Sequence, residues 1–353
     1  GIDAAAATTA LDATVVKSLG NKDAVWLPFA THEQLNTNVE RWLFSACAQA
    51  RAGVTGPTTQ SDACLLLDEM RLIKDATELA TMRRAASISA NAHIRAMQRS
   101  ARDLRDHLDL REYHLEAELL HEFRQHGAQF PAYTSIVAAG TNACVLHYRA
   151  DTGAVKDGDL VLIDAGCELD GYASDITRTF PANGRFTAPQ RDVYALVLAS
   201  QVAAVNATRT GARFNQPHEA AVQVLTQGLL DLGILNKQQV GNVDEAIAMK
   251  AYTPFYMHRT SHWLGLDVHD CGRYAGTDLQ AQQHTPPLTR HLQEGMVLTI
   301  EPGLYIRPSD AVPAHFHNIG IRIEDDAVVS AGDCELISRG VPVAIDDIEA
   351  LMA

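Results

Sequence analysis

The chain has 353 residues, of which 29 are Lys or Arg and 43 are Asp or Glu, for a formal net charge of −14. That length, with 46% apolar residues, leaves room for one large domain and a smaller one, each with a core. The acidic balance argues against nucleic acid or an anionic membrane surface as the main partner. It suits a site that collects divalent cations, as well as a merely solvated surface.

No apolar run reaches membrane-spanning length, and the N-terminus lacks a basic stretch followed by an apolar one. The six cysteines (Cys47, Cys64, Cys144, Cys167, Cys271, Cys334) are scattered with no Cys-x-x-Cys, which reads as reduced, buried thiols in a cytoplasmic protein. The sequence opens on Gly1 instead of Met, which reads as a processed or shortened product.

In chain order, Ala4 to Ala7 is a small-residue stretch, and Val39 to Ala52 carries a helical pattern through Val39, Leu43, Ala46 and Ala50. Gly53 to Thr59, with Gly56-Pro57, breaks it. Asp75-Ala76-Thr77-Glu78 is a capping box that opens a long helix to about Met97, and a domain boundary is expected near residue 70. This divides the chain into a partial N-terminal domain, 1–70, and a larger one, 71–353. A second helix is expected over Glu112 to His126.

From Phe130 the texture changes to strands and turns: Thr134 to Ala139, a turn over Val155 to Asp159, then Leu160 to Ile163. Thr187-Ala188-Pro189-Gln190 is another capping box, with proline in the first turn of a helix that buries Val193, Leu196, Val197 and Val205. A further helix runs from about Pro217 to Leu232 and stops at Gly233. Helices alternating with antiparallel strand pairs read as α+β. The polar, Gln-containing segments Leu235 to Lys250 and Gly276 to His291 read as insertions.

One internal echo is informative. Asp157-Gly158 launches Leu160 to Ile163 and ends in Asp164 and Gly166, and Glu294-Gly295 launches Val297 to Ile300 and ends in Glu301 and Gly303. In both, a turn starts a buried strand that delivers a carboxylate seven residues after the first acid. Two pseudo-symmetric halves facing one site are expected.

The carboxylates form pairs. Asp170-Gly171 is a strong two-residue hairpin turn, which pairs 164 with 177 and makes 175 the diagonal neighbour of 164 on the same face. Ile319 to Ile323 alternates so that Arg322 and Glu324 share a face. Singly, each acid fits a strand-end cap or a surface charge. His258, His262 and His269, within the fifteen residues Tyr256 to Asp270, singly fit polar loop positions. Together, four carboxylates and an imidazole fit a two-metal site for hard or borderline cations. The oxygen-rich set favours Mn²⁺ over Zn²⁺, with Co²⁺ a further option.

Asp164, Asp175, His258-x-x-x-His262, Ile-Glu301-Pro-Gly and Arg322-Ile-Glu324 resemble the metallopeptidases of the pita-bread (creatinase/aminopeptidase) fold. The resemblance is closest to aminopeptidase P (Xaa-Pro aminopeptidase), then prolidase, and more distant for methionine aminopeptidase. It covers about residue 75 to the C-terminus, behind a partial N-terminal α/β domain. It implies that Asp164 binds one metal, that Asp175 and Glu324 bridge two, and that His262 and Glu301 complete the other.

By the same resemblance His147, His258 and His269 bind substrate, the last two also steadying a tetrahedral intermediate. Arg322 lies near the prolyl side, and Glu301 shuttles the proton. Proline-containing peptides are the implied substrate and a homo-oligomer, dimer or tetramer, the implied assembly. Without the resemblance, His147 reads as a turn histidine and Trp263 as core. The chain departs from the pattern at Arg259, where many relatives have glycine, and in a long segment between His269 and Glu301.

The alternatives are a prolidase, which cleaves only Xaa-Pro dipeptides, and a metal-free binding module of the same fold. A zincin is excluded by the lack of His-Glu-x-x-His, and no Gly-x-Ser-x-Gly elbow is present.

Overall fold

The computed structural model describes residues 5–29, 31–149, 152–275 and 290–353. Gly1, Ala4 and most of the segment Gly276 to His291 therefore lie outside the described residues. One compact unit ends at Arg71 and a second spans Leu72–Ala353.

The small unit is α/β. Strands Ala24–Leu27 and Thr59–Asp62 pair in parallel, Ala24 opposite Thr59, with the helix Glu33–Cys47 between them in the chain. Leu19, Leu27, Val39, Trp42 and Ala46 make its core. The helix starts six residues before the expected Val39 and tightens into a 3₁₀ turn over Ala48–Ala52, ending at Gly53 with φ +80°. Its first turns are polar except for Leu35, so an apolar periodicity reveals only the later ones. Gly53 adopts the left-handed conformation that glycine takes without strain.

In the large unit both capping boxes form. Asp75 Oδ1 accepts from the amides of Thr77 and Glu78 at 2.7 and 2.9 Å, and Glu78 Oε2 accepts from the Asp75 amide at 2.7 Å. The helix continues past Met97 to Arg105, because Ser100, Ala101 and Asp103 extend its buried stripe. Helices Glu112–Gln125, Ala188–Ala207 and Gln216–Asp231 follow, and their apolar faces join one large core. Leu235 to Lys250 folds into two short helices, Lys237–Val240 and Val243–Ala248, with Ala246 buried.

Three sheets carry the halves. Leu160–Asp164 pairs antiparallel with Ile136–Ala139 on one side and Thr177–Pro181 on the other. Asp325–Val328 pairs antiparallel with Val297–Ile300 and Glu335–Leu336, while Gly303–Ile306 pairs with Ile319–Arg322. The echo has a common geometry at its start: Gly158 and Gly295 have φ +85° and +87°, and each turns the chain into its buried strand.

Asp170 and Gly171 both have positive φ, +51° and +87°, which makes the two-residue turn of a hairpin matched to strand twist. Leu169 faces Tyr172 and, further along, Asp164 faces Thr177, the register that turn requires. Between these points the ladder is pinched at Gly166, where a Cβ would lie 1.7 Å from the Ser174 carbonyl oxygen.

The cysteines do not all follow the expectation of buried thiols. Cys144 and Cys167 are buried, but Cys47 is exposed and Cys64 and Cys334 are half-buried, since scattered thiols carry no periodic signal that fixes their depth. Among the described residues no helix is long and apolar enough to cross a membrane.

Candidate metal centre

A cavity of about 880 Å³ opens in the large unit, and Asp164, Asp175, His262, Glu301, Glu324, His147, His258, His269 and Arg322 all line it. Asp164 is the last residue of Leu160–Asp164, and Asp175 stands two residues before Thr177 on the returning strand. Glu301 follows Val297–Ile300 directly, and Glu324 sits between Ile319–Arg322 and Asp325–Val328.

His262 reaches the cavity because residues 260 to 264 run alongside Val297–Ile300. The Thr299 amide donates to the His262 carbonyl at 3.0 Å, the Glu301 amide to the Thr260 carbonyl at 2.9 Å and the Leu264 amide to the Val297 carbonyl at 3.1 Å. Trp263 faces the other way and is fully buried against Leu298 and Phe214.

Donor atoms of Asp175, His262 and Glu324 lie within 4.8 Å of one another. His262 Nε2 is 3.4 Å from Asp175 Oδ2 and 3.7 Å from Glu301 Oε1. Its Nδ1 is 3.0 Å from the Trp263 carbonyl oxygen, which can only accept, so Nδ1 carries a hydrogen and Nε2 is the nitrogen turned toward the acids.

Burial pushes the Asp164 carboxyl up to about 6 and Glu301 up to about 7, with the charge of Asp175 adding to both, while Glu324 rises well above the usual carboxylate range. Burial pulls on His262 in the other direction, but its bond to Asp175 and the charges of Glu301 and Asp175 outweigh that and hold it up at about 9. Several acids sharing one dry pocket repel one another, and cations bound among them relieve the conflict. The donor set and the fixed ring orientation of His262 both fit a divalent metal.

The surroundings hold these groups tightly. The Tyr133 hydroxyl is 2.6 Å from Asp164 Oδ1 and 2.5 Å from Asp175 Oδ1, so one hydrogen serves both. Thr177 Oγ1 donates to Glu324 Oε2 at 2.6 Å and accepts from Arg322 Nε at 3.0 Å. Arg322 also reaches Asp164 Oδ2 at 2.5 Å and the Tyr305 hydroxyl at 2.9 Å. Both ring nitrogens of His258 are engaged: Nδ1 donates to the Arg259 carbonyl at 2.7 Å, and Nε2 accepts from the Tyr305 hydroxyl at 2.8 Å. Burial and Arg322 push its pKa down to about 3, so this imidazole is neutral. His147 and His269 are exposed at the cavity wall.

Three groups escape a reading of the sequence. Tyr133 and Tyr305 carry no pattern, because an isolated tyrosine is as readily core or surface. Asp326 is fully buried and accepts the Asp175 amide at 3.2 Å, yet it is the last of three consecutive acids. Its parity with Glu324 along an extended chain is the one available signal. Asp270, next to His269, is not in the cavity wall; it forms a buried ion pair with Lys74.

The sequence model of metallopeptidase family M24 matches residues 80–331. The chain belongs to metallopeptidase family M24. This M24 chain is 43% identical over 352 residues to an Xaa-Pro aminopeptidase of Escherichia coli, covering 100% of the chain and 75% of that relative. It is 48% identical over 287 residues to an Xaa-Pro aminopeptidase of Haemophilus influenzae, covering 81% of the chain and 62% of the relative. A solved structure of an aminopeptidase from Pseudomonas aeruginosa superposes with a TM-score of 0.89 at 46% identity, over 98% of this chain and 74% of that one. A structure of E. coli aminopeptidase P in complex with substrate gives 0.89 at 43% identity, over 100% and 76%. The chain thus has the pita-bread fold of these enzymes, as an M24 member with a mixed helix and sheet architecture.

Proposed function

We propose that this M24 chain hydrolyses the bond between an N-terminal residue and a following proline, with two divalent cations held by Asp164, Asp175, His262, Glu301 and Glu324. The observation that carries the reading is the approach of Asp175, His262 and Glu324 donor atoms to within 4.8 Å, in a chain 43% identical across its length to an Xaa-Pro aminopeptidase. The excess of oxygen donors favours Mn²⁺ over Zn²⁺ or Co²⁺. When bound, such cations lower the pKa of water and polarise the scissile carbonyl.

The chain's own residues supply the rest. His262 turns Nε2 toward the acids because Nδ1 is held by the Trp263 carbonyl, so a cation that displaces the Nε2 proton would meet a nitrogen already in place. Asp175 is steadied by its amide on Asp326, and Glu324 by the hydroxyl of Thr177. Glu301, on the cavity wall beside His262, is suited to take a proton and pass it to the leaving imino nitrogen. His147 and His269, exposed on the cavity wall, are suited to hold the peptide, and Arg322 fixes Asp164 from the side of Tyr305. Neutral His258 acts together with the Tyr305 hydroxyl it accepts from.

A cytoplasmic location and assembly into a homo-oligomer belong to the same reading. The free thiols of Cys47, Cys64, Cys144, Cys167 and Cys334 support the first, and light scattering tests the second.

The test measures metal content together with cleavage of Xaa-Pro-Xaa tripeptides and Xaa-Pro dipeptides. About two divalent ions per chain and tripeptide turnover are expected, with turnover abolished in D164A and E324A. A protein that cleaves only the dipeptides is a prolidase, and that result overturns the assignment.

A further inference from the structure

The cavity wall carries two exposed arginines, Arg149 and Arg259, besides the buried Arg322. Arg322 is already committed to Asp164, Tyr305 and Thr177. Among the described residues, neither Arg149 nor Arg259 has a carboxylate within ion-pair distance. Arg259 is also restrained: its Nη1 donates to Asn215 Oδ1 at 3.2 Å, which among the described residues leaves its other guanidinium donors for a ligand. Arg149 follows Leu146, His147 and Tyr148, all three of which line the same wall.

A guanidinium offers planar, paired donors that match a carboxylate. We infer that Arg149 and Arg259 form a carboxylate-binding subsite for the part of the peptide beyond the proline. The assignment of side follows from charge. The substrate's cationic amino terminus is drawn to the acids of the centre and repelled by the two arginines, so the anion they take lies on the leaving segment. This rests on the Xaa-Pro reading above. The anion has two sources with one chemistry: the terminal carboxylate of a short peptide, or an Asp or Glu side chain after the proline.

Four peptides decide it, assayed by kcat/KM on the Mn²⁺-loaded protein: Ala-Pro-Ala, its C-terminal amide, and the amides of Ala-Pro-Glu and Ala-Pro-Gln. Solvent-accessible contacts of this kind predict a preference of about three- to tenfold for the anionic member of at least one pair, shrinking at 0.5 M salt. The pair that shows it identifies the source. In R259A and R149A that ratio falls toward one, and in R149A/R259A it vanishes. Ratios within twofold in the parent, or ratios that the substitutions leave unchanged, overturn the inference while the peptidase reading stands. Failure to cleave any of the four peptides overturns both.

Discussion

Lys74 Nζ lies 3.0 Å from Asp270 Oδ2, and both side chains are 1% exposed. The pair ties the residue just before the long helix to the loop carrying His262 and His269, across 196 positions of sequence. Gly265 packs so closely there that a Cβ would come within 2.2 Å of Asp270. Removing one member of a buried pair leaves the other charge in a poor solvent. K74A and D270A are each expected to lose about 3–5 kcal/mol in urea unfolding, and K74M/D270L less than either. Equal losses in the double and single variants would show that the ion pair is not the source of the effect.

Gly166 is the position where strand geometry and site geometry meet. Any side chain there would overlap the Ser174 carbonyl oxygen at 1.7 Å, and that oxygen belongs to backbone, which cannot swing away. The flanking chain carries Asp164 two residues before and Asp175 one residue after the contact. G166A is expected to cost at least about 1–3 kcal/mol and to lower metal affinity, read by calorimetric titration with Mn²⁺. A variant with parental stability and parental affinity would refute the pinch.

His93 is fully buried, with Nε2 3.0 Å from the Ala165 carbonyl oxygen, and burial pushes its pKa down to about 4 from 6.5. The unfolded chain therefore binds a proton that the folded chain refuses between those values. The stability held above pH 6.5 is lost as pH falls toward 4, by about 3 kcal/mol from this group. H93Q is expected to flatten that part of the curve of unfolding free energy against pH. An unchanged slope between pH 7 and 4.5 would exclude His93 as its source.

The legible parts of this molecule depend on near neighbours in the chain. Asp75 with Glu78, and Thr187 with Gln190, close their capping boxes within one helical turn. Asp170-Gly171 sets a turn whose register reaches Asp164 and Thr177 with no help from elsewhere, because each residue of an antiparallel pair fixes the next. The doubled pattern at Gly158 and Gly295 was readable for the same reason, since an acid-Gly turn and an apolar strand are both local.

Depth, and the roles of the acids that follow Glu324, were not legible. Glu324, Asp325 and Asp326 are three acids in a row, and alternation alone says only that the middle one points away from its neighbours. The pairing of Asp325 with Ile300 decides which side is which. Glu324 enters the cavity wall, while Asp325 turns into Arg178, Arg339, Gln201 and Ser338, fully buried. The hydroxyls of Tyr133 and Tyr305 reach the acids only because separate strands and loops converge on one space.

Sequence by itself determined the turns, the caps, the strand ends and the family to which these residues belong, since such features rest on interactions a few residues long. Which acids share a pocket, how far burial drives their proton affinities, and which arginines are left for a ligand were decided by tertiary structure alone. Those properties depend on removal of water and on charges brought together from distant positions, and a linear order of residues records neither.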